Sequence, residues 1–279
     1  MSDERYTVIL GDRRYAIHRK WAKPAKPFGF LSDLMVDGAG HVHVAQRGTE
    51  QPVVVFDRDG REIGSWGEGV LAEPHYINAG NDGAILVADR DAHQVMRFDK
   101  DGKLLRALGR RHWPELDAPF NHPTAAAESA DGEIYVSDGY GNSNVHRFTA
   151  DGRLLGTWGG PGHGPGAFTT PHAVAVDRRG RVLVADRENN RVQVFHRDGT
   201  FAAEWSDFYH PMQIWIDDRG LVFVTDQIPR ISLLTPDGEL IGRCRGAING
   251  AHGLSGDADG NLYLSELPPQ EVTKLERLN

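Results

Sequence analysis

Three histidines stand at matching places in a repeating sequence. They are His75 in Glu73-Pro74-His75, His172 in Thr170-Pro171-His172 and His252 in Gly250-Ala251-His252, each eight residues before a glycine: Gly83, Gly180 and Gly260. With 13 histidines among 279 residues, three prescribed positions would all be histidine by chance about once in ten thousand, so the placement calls for a physical reason. Three neutral imidazoles that converge offer three corners of a tetrahedron and leave the fourth open, which is the arrangement of a catalytic metal site. Zinc is the default ion for three imidazoles and a water. Iron, copper and nickel also accept imidazole, so one divalent transition metal is expected and the element stays open. The structural alternative is that histidines at strand starts, two of them after prolines, bond to backbone carbonyls. That alternative suffices for His18, His41, His43, His93, His122, His146, His163, His196 and His210, which share no such register.

Fifteen residues after the histidine register, six further positions read Arg47, Arg90, Gly139, Arg187, Gln227 and Leu267. A guanidinium grips a carboxylate through two parallel hydrogen bonds, so Arg47, Arg90 and Arg187 near a metal would suit a small anionic substrate. Alternatively, each pairs with an adjacent carboxylate, as Asp89-Arg90 and Asp186-Arg187 suggest. In the third copy glycine replaces the arginine and is followed by Tyr140. Its phenol is a candidate general base if a metal ion or an arginine stabilises the phenolate, since an unperturbed tyrosine titrates near pH ~10. Otherwise Tyr140 is an aromatic wall. Asp89, Asp138, Asp186 and Asp226 recur at one register and are expected to hold strand ends.

These registers need an element that repeats. Phe56 to Gly60, Phe98 to Gly102, Phe148 to Gly152, Phe195 to Gly199 and Leu234 to Gly238 are five copies of a strand end followed by an Asp-Gly hairpin. Before each lies a pair of alternating strands around a turn glycine, and Gly40, Gly83, Gly132, Gly180, Gly220 and Gly260 make six copies. With an outer strand carrying Trp66, Trp158 or Trp205, each copy is a four-stranded blade. The expectation is an all-β, six-bladed β-propeller forming one domain over residues 1–279. The last copy ends after its third strand, and the segment Tyr15 to Trp21 is expected to complete it and close the ring. First strands line the channel of such a ring. Histidines in alternate blades then lie about 120° apart and face one axial point.

The formal net charge of -8 argues against a nucleic-acid or anionic-membrane partner, and no apolar run approaches a membrane span. The single cysteine, Cys244, allows no intrachain disulfide, and MSDERYTVIL does not read as a secretory leader. A cytoplasmic location is therefore expected. No protein partner is specified.

Residues Ile134 to Phe148 (IYVSDGYGNSNVHRF) and Thr170 to Phe195 (TPHAVAVDRRGRVLVADRENNRVQVF) carry a resemblance to the NHL-repeat propellers. Within these, the chain resembles peptidyl-α-hydroxyglycine α-amidating lyase. The resemblance implies a catalytic zinc on His75, His172 and His252, a catalytic tyrosine at Tyr140, and functional arginines at Arg47 and Arg187. It also implies cleavage of a carbinolamide N–C bond to release an amide and glyoxylate. Several positions depart from the pattern. Gly253 stands where the family's structural calcium has its carboxylate ligand, which argues against calcium, although Leu34 and the position after the first Pro-His are compatible with it. Gly141 and Leu183 replace family cysteines, Gly250 replaces a methionine, and Arg90 is not expected from the pattern. A changed pocket and a small hydroxylated acid follow better than a secreted peptide. The function expected is a metal-dependent lyase or hydrolase acting on a small carboxylate-bearing substrate. The alternative is a non-catalytic propeller that serves as a protein-interaction scaffold.

Overall fold

Asp177 shows how this chain makes its turns. Its Oδ1 accepts the backbone N–H groups of Arg179 and Arg181 at 2.9 and 2.8 Å, and the Gly180 N–H closes onto its carbonyl at 2.9 Å. Gly180 takes a positive φ of 74°, a conformation that a side chain resists. The same Asp-x-x-Gly turn recurs at Asp37, Asp217 and Asp257 between first and second strands, and at Asp57 and Asp99 between third and fourth strands. At the Asp59-Gly60 hairpin the glycine turns the chain as expected, but the organising carboxylate belongs to Asp57, two residues earlier.

The structure is a computed structural model and describes residues 6–48, 50–116 and 118–279, so the first five residues of the stretch read for a leader lie outside it. Among the described residues the strands form six antiparallel sheets, the blades of a six-bladed propeller. Blade 1 runs through Phe30–Val36, Val42–Arg47, Val53–Phe56 and Glu62–Trp66. Blade 4 runs through Pro171–Val176, Val182–Asp186, Arg191–Phe195 and Phe201–Trp205. Middle strands such as Val182–Asp186 are buried along their whole length because neighbouring blades cover both faces. Outer strands such as Leu154–Gly159 are largely open to solvent. No helix among the described residues is long and apolar enough to cross a membrane.

The ring closes where expected, with different bounds. Arg13–His18 pairs with Glu271–Arg277 as the fourth strand of blade 6, and Thr7–Leu10 adds a fifth strand, joined through Gly11 at φ 65°. The expected segment began at Tyr15. The hairpin at Gly11 starts the pairing earlier and buries Leu10 against the same core as Tyr15.

Blades are also locked edge to edge. Trp158 of blade 3 covers Gly199 in the outer hairpin of blade 4, where an added Cβ would stand 2.8 Å from the indole and φ is 89°. Gly199→Ala is expected to cost about 1–3 kcal/mol, from positive φ and the clash together. Gly64→Ala, with nothing within 4 Å, is the control. Urea unfolding of both variants checks the difference, and equal midpoints would show that this lock adds nothing.

Candidate functional site

Each of the three histidines is the second residue of an inner strand: Pro74–Ala79, Pro171–Val176 and Ala251–Gly256. Each also sits at a break in register. Pro74 pairs with Asp89 and Tyr76 with Ala88, so His75 faces no partner, and the shift repeats around His172 and His252. Such a bulge re-aims one side chain without disturbing the rest of the strand, and here the three side chains meet. Their rings lie 5.0, 5.0 and 5.2 Å apart, centroid to centroid, and their ligating nitrogens lie within 4.8 Å of one another, all three residues buried.

The non-histidine blades have a part in this. His75 Nδ1 donates to the carbonyl of Thr124 at 2.7 Å, His172 Nδ1 to that of Met212 at 2.9 Å, and His252 Nδ1 to that of Ser32 at 2.8 Å. Every acceptor belongs to the next blade at the same register, so ligand and acceptor alternate around the ring. A carbonyl only accepts, so each Nδ1 carries the proton and each Nε2 presents a lone pair. Burial first, then the neighbouring imidazoles, holds His75 and His172 well below the ordinary histidine value; burial, with Arg47 and Arg187, lowers His252 to about 3. The three rings are therefore neutral at neutral pH. This arrangement of buried lone pairs fits a transition-metal ion.

Tyr140 reaches the same point. Its hydroxyl stands 3.0 Å from Nε2 of both His75 and His172, and its single proton satisfies one of them. Gly139 makes this approach feasible, because a Cβ there would lie 2.1 Å from the Pro171 carbonyl. Burial raises the phenol above its ordinary value despite the opposing charges of Arg187, Arg47 and Arg90, so the arginines alone do not produce a phenolate.

The three arginines surround this tyrosine on different terms. Arg47 donates through Nε to Ser32 Oγ at 2.7 Å and lays its guanidinium 4.5 Å over Phe30, with Glu73 at 3.9 Å. Arg187 Nε is buried without a hydrogen-bond partner, 3.4 Å from Glu188 in a geometry that makes no bond. Arg90 is forked onto Asp91 at 2.7 and 3.3 Å, 5.9 Å above the Tyr140 ring. Arg90 thus pairs with an adjacent carboxylate, as the alternative expected, and Arg187 lies against adjacent Glu188, although the carboxylate in each case follows the arginine and is not Asp89 or Asp186. Asp89 instead accepts the backbone N–H groups of Ala72 and Glu73, and Asp186 accepts that of Thr169, so these carboxylates hold strand ends.

Two neighbours escaped the sequence reading. Glu73 lies 3.9 Å from both Arg47 and Arg90, and Tyr76 donates its buried hydroxyl to the Met212 carbonyl at 2.6 Å while stacking on His252. Both adjoin the His75 motif, and that adjacency was the available signal.

The NHL repeat family matches residues 168–195. The probable peptidyl-alpha-hydroxyglycine alpha-amidating lyase of Caenorhabditis elegans is 27% identical over 299 aligned residues, covering 91% of this chain and 85% of that protein. NHL repeat-containing protein 3 of Mus musculus is 30% identical over 256 residues, covering 84% of this chain and 74% of that protein. A solved streptogramin B lyase shares the fold with TM-score 0.70 at 14% identity, over 97% of this chain and 100% of that one.

Proposed function

The chain belongs to the NHL-repeat propellers, and on that footing we propose that it is a metal-dependent lyase that breaks a C–N bond in a small α-hydroxy, carboxylate-bearing substrate. The observation that carries this is the convergence of three buried Nε2 lone pairs, each with its Nδ1–H fixed by a neighbouring blade. The resemblance to the amidating lyase of Caenorhabditis elegans supports the reaction class. His75, His172 and His252 would hold a divalent ion, zinc by preference, which when bound would supply Lewis acidity toward an oxygen of the substrate.

The chain's own groups do the rest. Arg187, with a free Nε, and Arg47, stiffened by Phe30 and Ser32, hold the substrate carboxylate. Arg90, tied to Asp91, adds positive charge beside the tyrosine. As the C–N bond breaks, its electron pair leaves with nitrogen and the hydroxyl-bearing carbon becomes a carbonyl. The proton lost by the hydroxyl is the one the nitrogen needs, and the Tyr140 oxygen carries it.

The exposed Trp113 and Leu116 favour a second reading, a scaffold that binds a protein through its loops. Chelation separates the two. Glyoxylate release from an N-acyl-α-hydroxyglycine is expected to fall at least ~100-fold after removal of metal and to return on adding one equivalent of zinc or another transition ion. Metal-free protein with no turnover and no metal uptake would leave the scaffold.

A further inference from the structure

One residue further along the inner strands, the register after the histidines includes Asp33, Tyr76, Gln213 and Gly253. Asp33 is wholly buried. Its carboxylate is met by N–H groups from two other blades: the Ile77 backbone at 3.1 Å and the Gln213 amide at 3.3 and 3.4 Å. Gln213 cannot turn round, because its carbonyl oxygen already accepts the Ile214 N–H at 3.0 Å. On the remaining side, a Cβ on Gly253 would stand 2.0 Å from Asp33 Oδ1. The carboxylate of blade 1 thus fills the space that a side chain on blade 6 would take.

That space bears on the structural calcium implied by resemblance. Calcium needs oxygen lone pairs turned toward it. Here N–H donors converge on the Asp33 carboxylate, and Gly253 has no side chain to offer a second one, so the residues present do not fit the ion. We propose that Asp33 is a positioning residue, a cation-free clasp joining blades 1, 2 and 5 and holding the three-histidine site in register. The residues next to it show how. Ser32, just before Asp33, supplies the carbonyl that orients His252, and Met212, just before Gln213, supplies the one that orients His172. Ile77 lies two residues beyond His75 on the same strand. Burial pushes the Asp33 carboxyl well above its ordinary range, against the N–H groups of Ile77 and Gln213, which favour the carboxylate.

The effect on the imidazoles rests on the metal reading above, whereas the clasp itself does not. Thermal unfolding of the wild-type protein in EGTA and in millimolar calcium is expected to give one midpoint, with no calcium retained on elemental analysis. A calcium-dependent rise that Asp33→Asn abolishes would overturn the proposal by making Asp33 a cation ligand. Cobalt(II) uptake, followed by its visible absorption, reads the positioning role. Asp33→Ala is expected to weaken uptake ~10–100-fold and to shift the bands, and Asp33→Asn, which keeps an acceptor for Ile77, recovers most of it. Gln213→Ala removes the other half of the clasp and serves if Asp33→Ala does not fold. Cobalt affinity and bands unchanged in a folded variant would overturn the role. Failure of the wild type to bind cobalt would count against the metal reading alone, since the calcium comparison still decides the clasp.

Discussion

His172→Ala is expected to lose at least ~100-fold in metal affinity and all measurable turnover while remaining folded. Removing a group that only orients a ligand costs about 10–100-fold in affinity, so removing a ligand must cost at least as much. The fold survives for a specific reason. The Met212 carbonyl, which accepts the His172 Nδ1–H, also accepts the Tyr76 hydroxyl at 2.6 Å, so it keeps a partner after the substitution. What remains is a small cavity at the channel, a cost of about 1–3 kcal/mol. Elemental analysis, glyoxylate release and thermal unfolding on one preparation test all three statements. Full metal content in the variant would show that the imidazoles do not hold the ion.

The same imidazoles set the pH response of the metal-free protein. All three have folded values below the ordinary histidine value, with His252 at about 3. The unfolded chain takes up these protons below about pH 6.5 and the folded one resists. Their contribution to stability is therefore fully present above about pH 6.5 and is lost as pH falls toward 3. His172→Ala, lacking one of the three, should lose less over that interval, and a wild-type midpoint independent of pH there would contradict the buried neutral state.

The propeller was legible because its signals repeat. A turn glycine at Gly40 recurs at Gly83 and four more times, and each copy brings alternating apolar residues with it. The same counting brought out His75, His172 and His252, since ring positions in a propeller are equal offsets in sequence. Which residues of one offset touch across the ring was not legible. The bond from His252 to the Ser32 carbonyl spans 220 residues, and that from Gln213 to Asp33 spans 180. The register breaks at the three histidines leave no local mark either, because a bulge is set by what the partner strand does. Arg90 illustrates the limit from the other side. Its offset matches Arg47 and Arg187, yet its fork is taken by Asp91, in line with the expected alternative of an adjacent carboxylate, though that alternative was argued from Asp89.

Tyr140→Phe should lower kcat by about 10²–10⁴-fold, the usual worth of a positioned proton-transfer group, with metal content unchanged and KM shifted by much less. The ring remains against the guanidinium of Arg90, so the wall of the site is preserved and only the oxygen shared between His75 and His172 is lost. Stability should change by no more than about 1 kcal/mol, the net value of one hydrogen bond. The comparison separates the two roles open to this residue. An aromatic wall is equally good as phenylalanine, so a variant with wild-type kcat would remove Tyr140 from the chemistry. A proton carrier at this point needs the phenol oxygen, which alone bridges His75 and His172 among the described residues. Arg47, Arg90 and Arg187 stay charged, and the three imidazole Nδ1 atoms are committed to backbone carbonyls. A loss confined to kcat in a protein that still holds its metal would therefore assign the proton to the phenol.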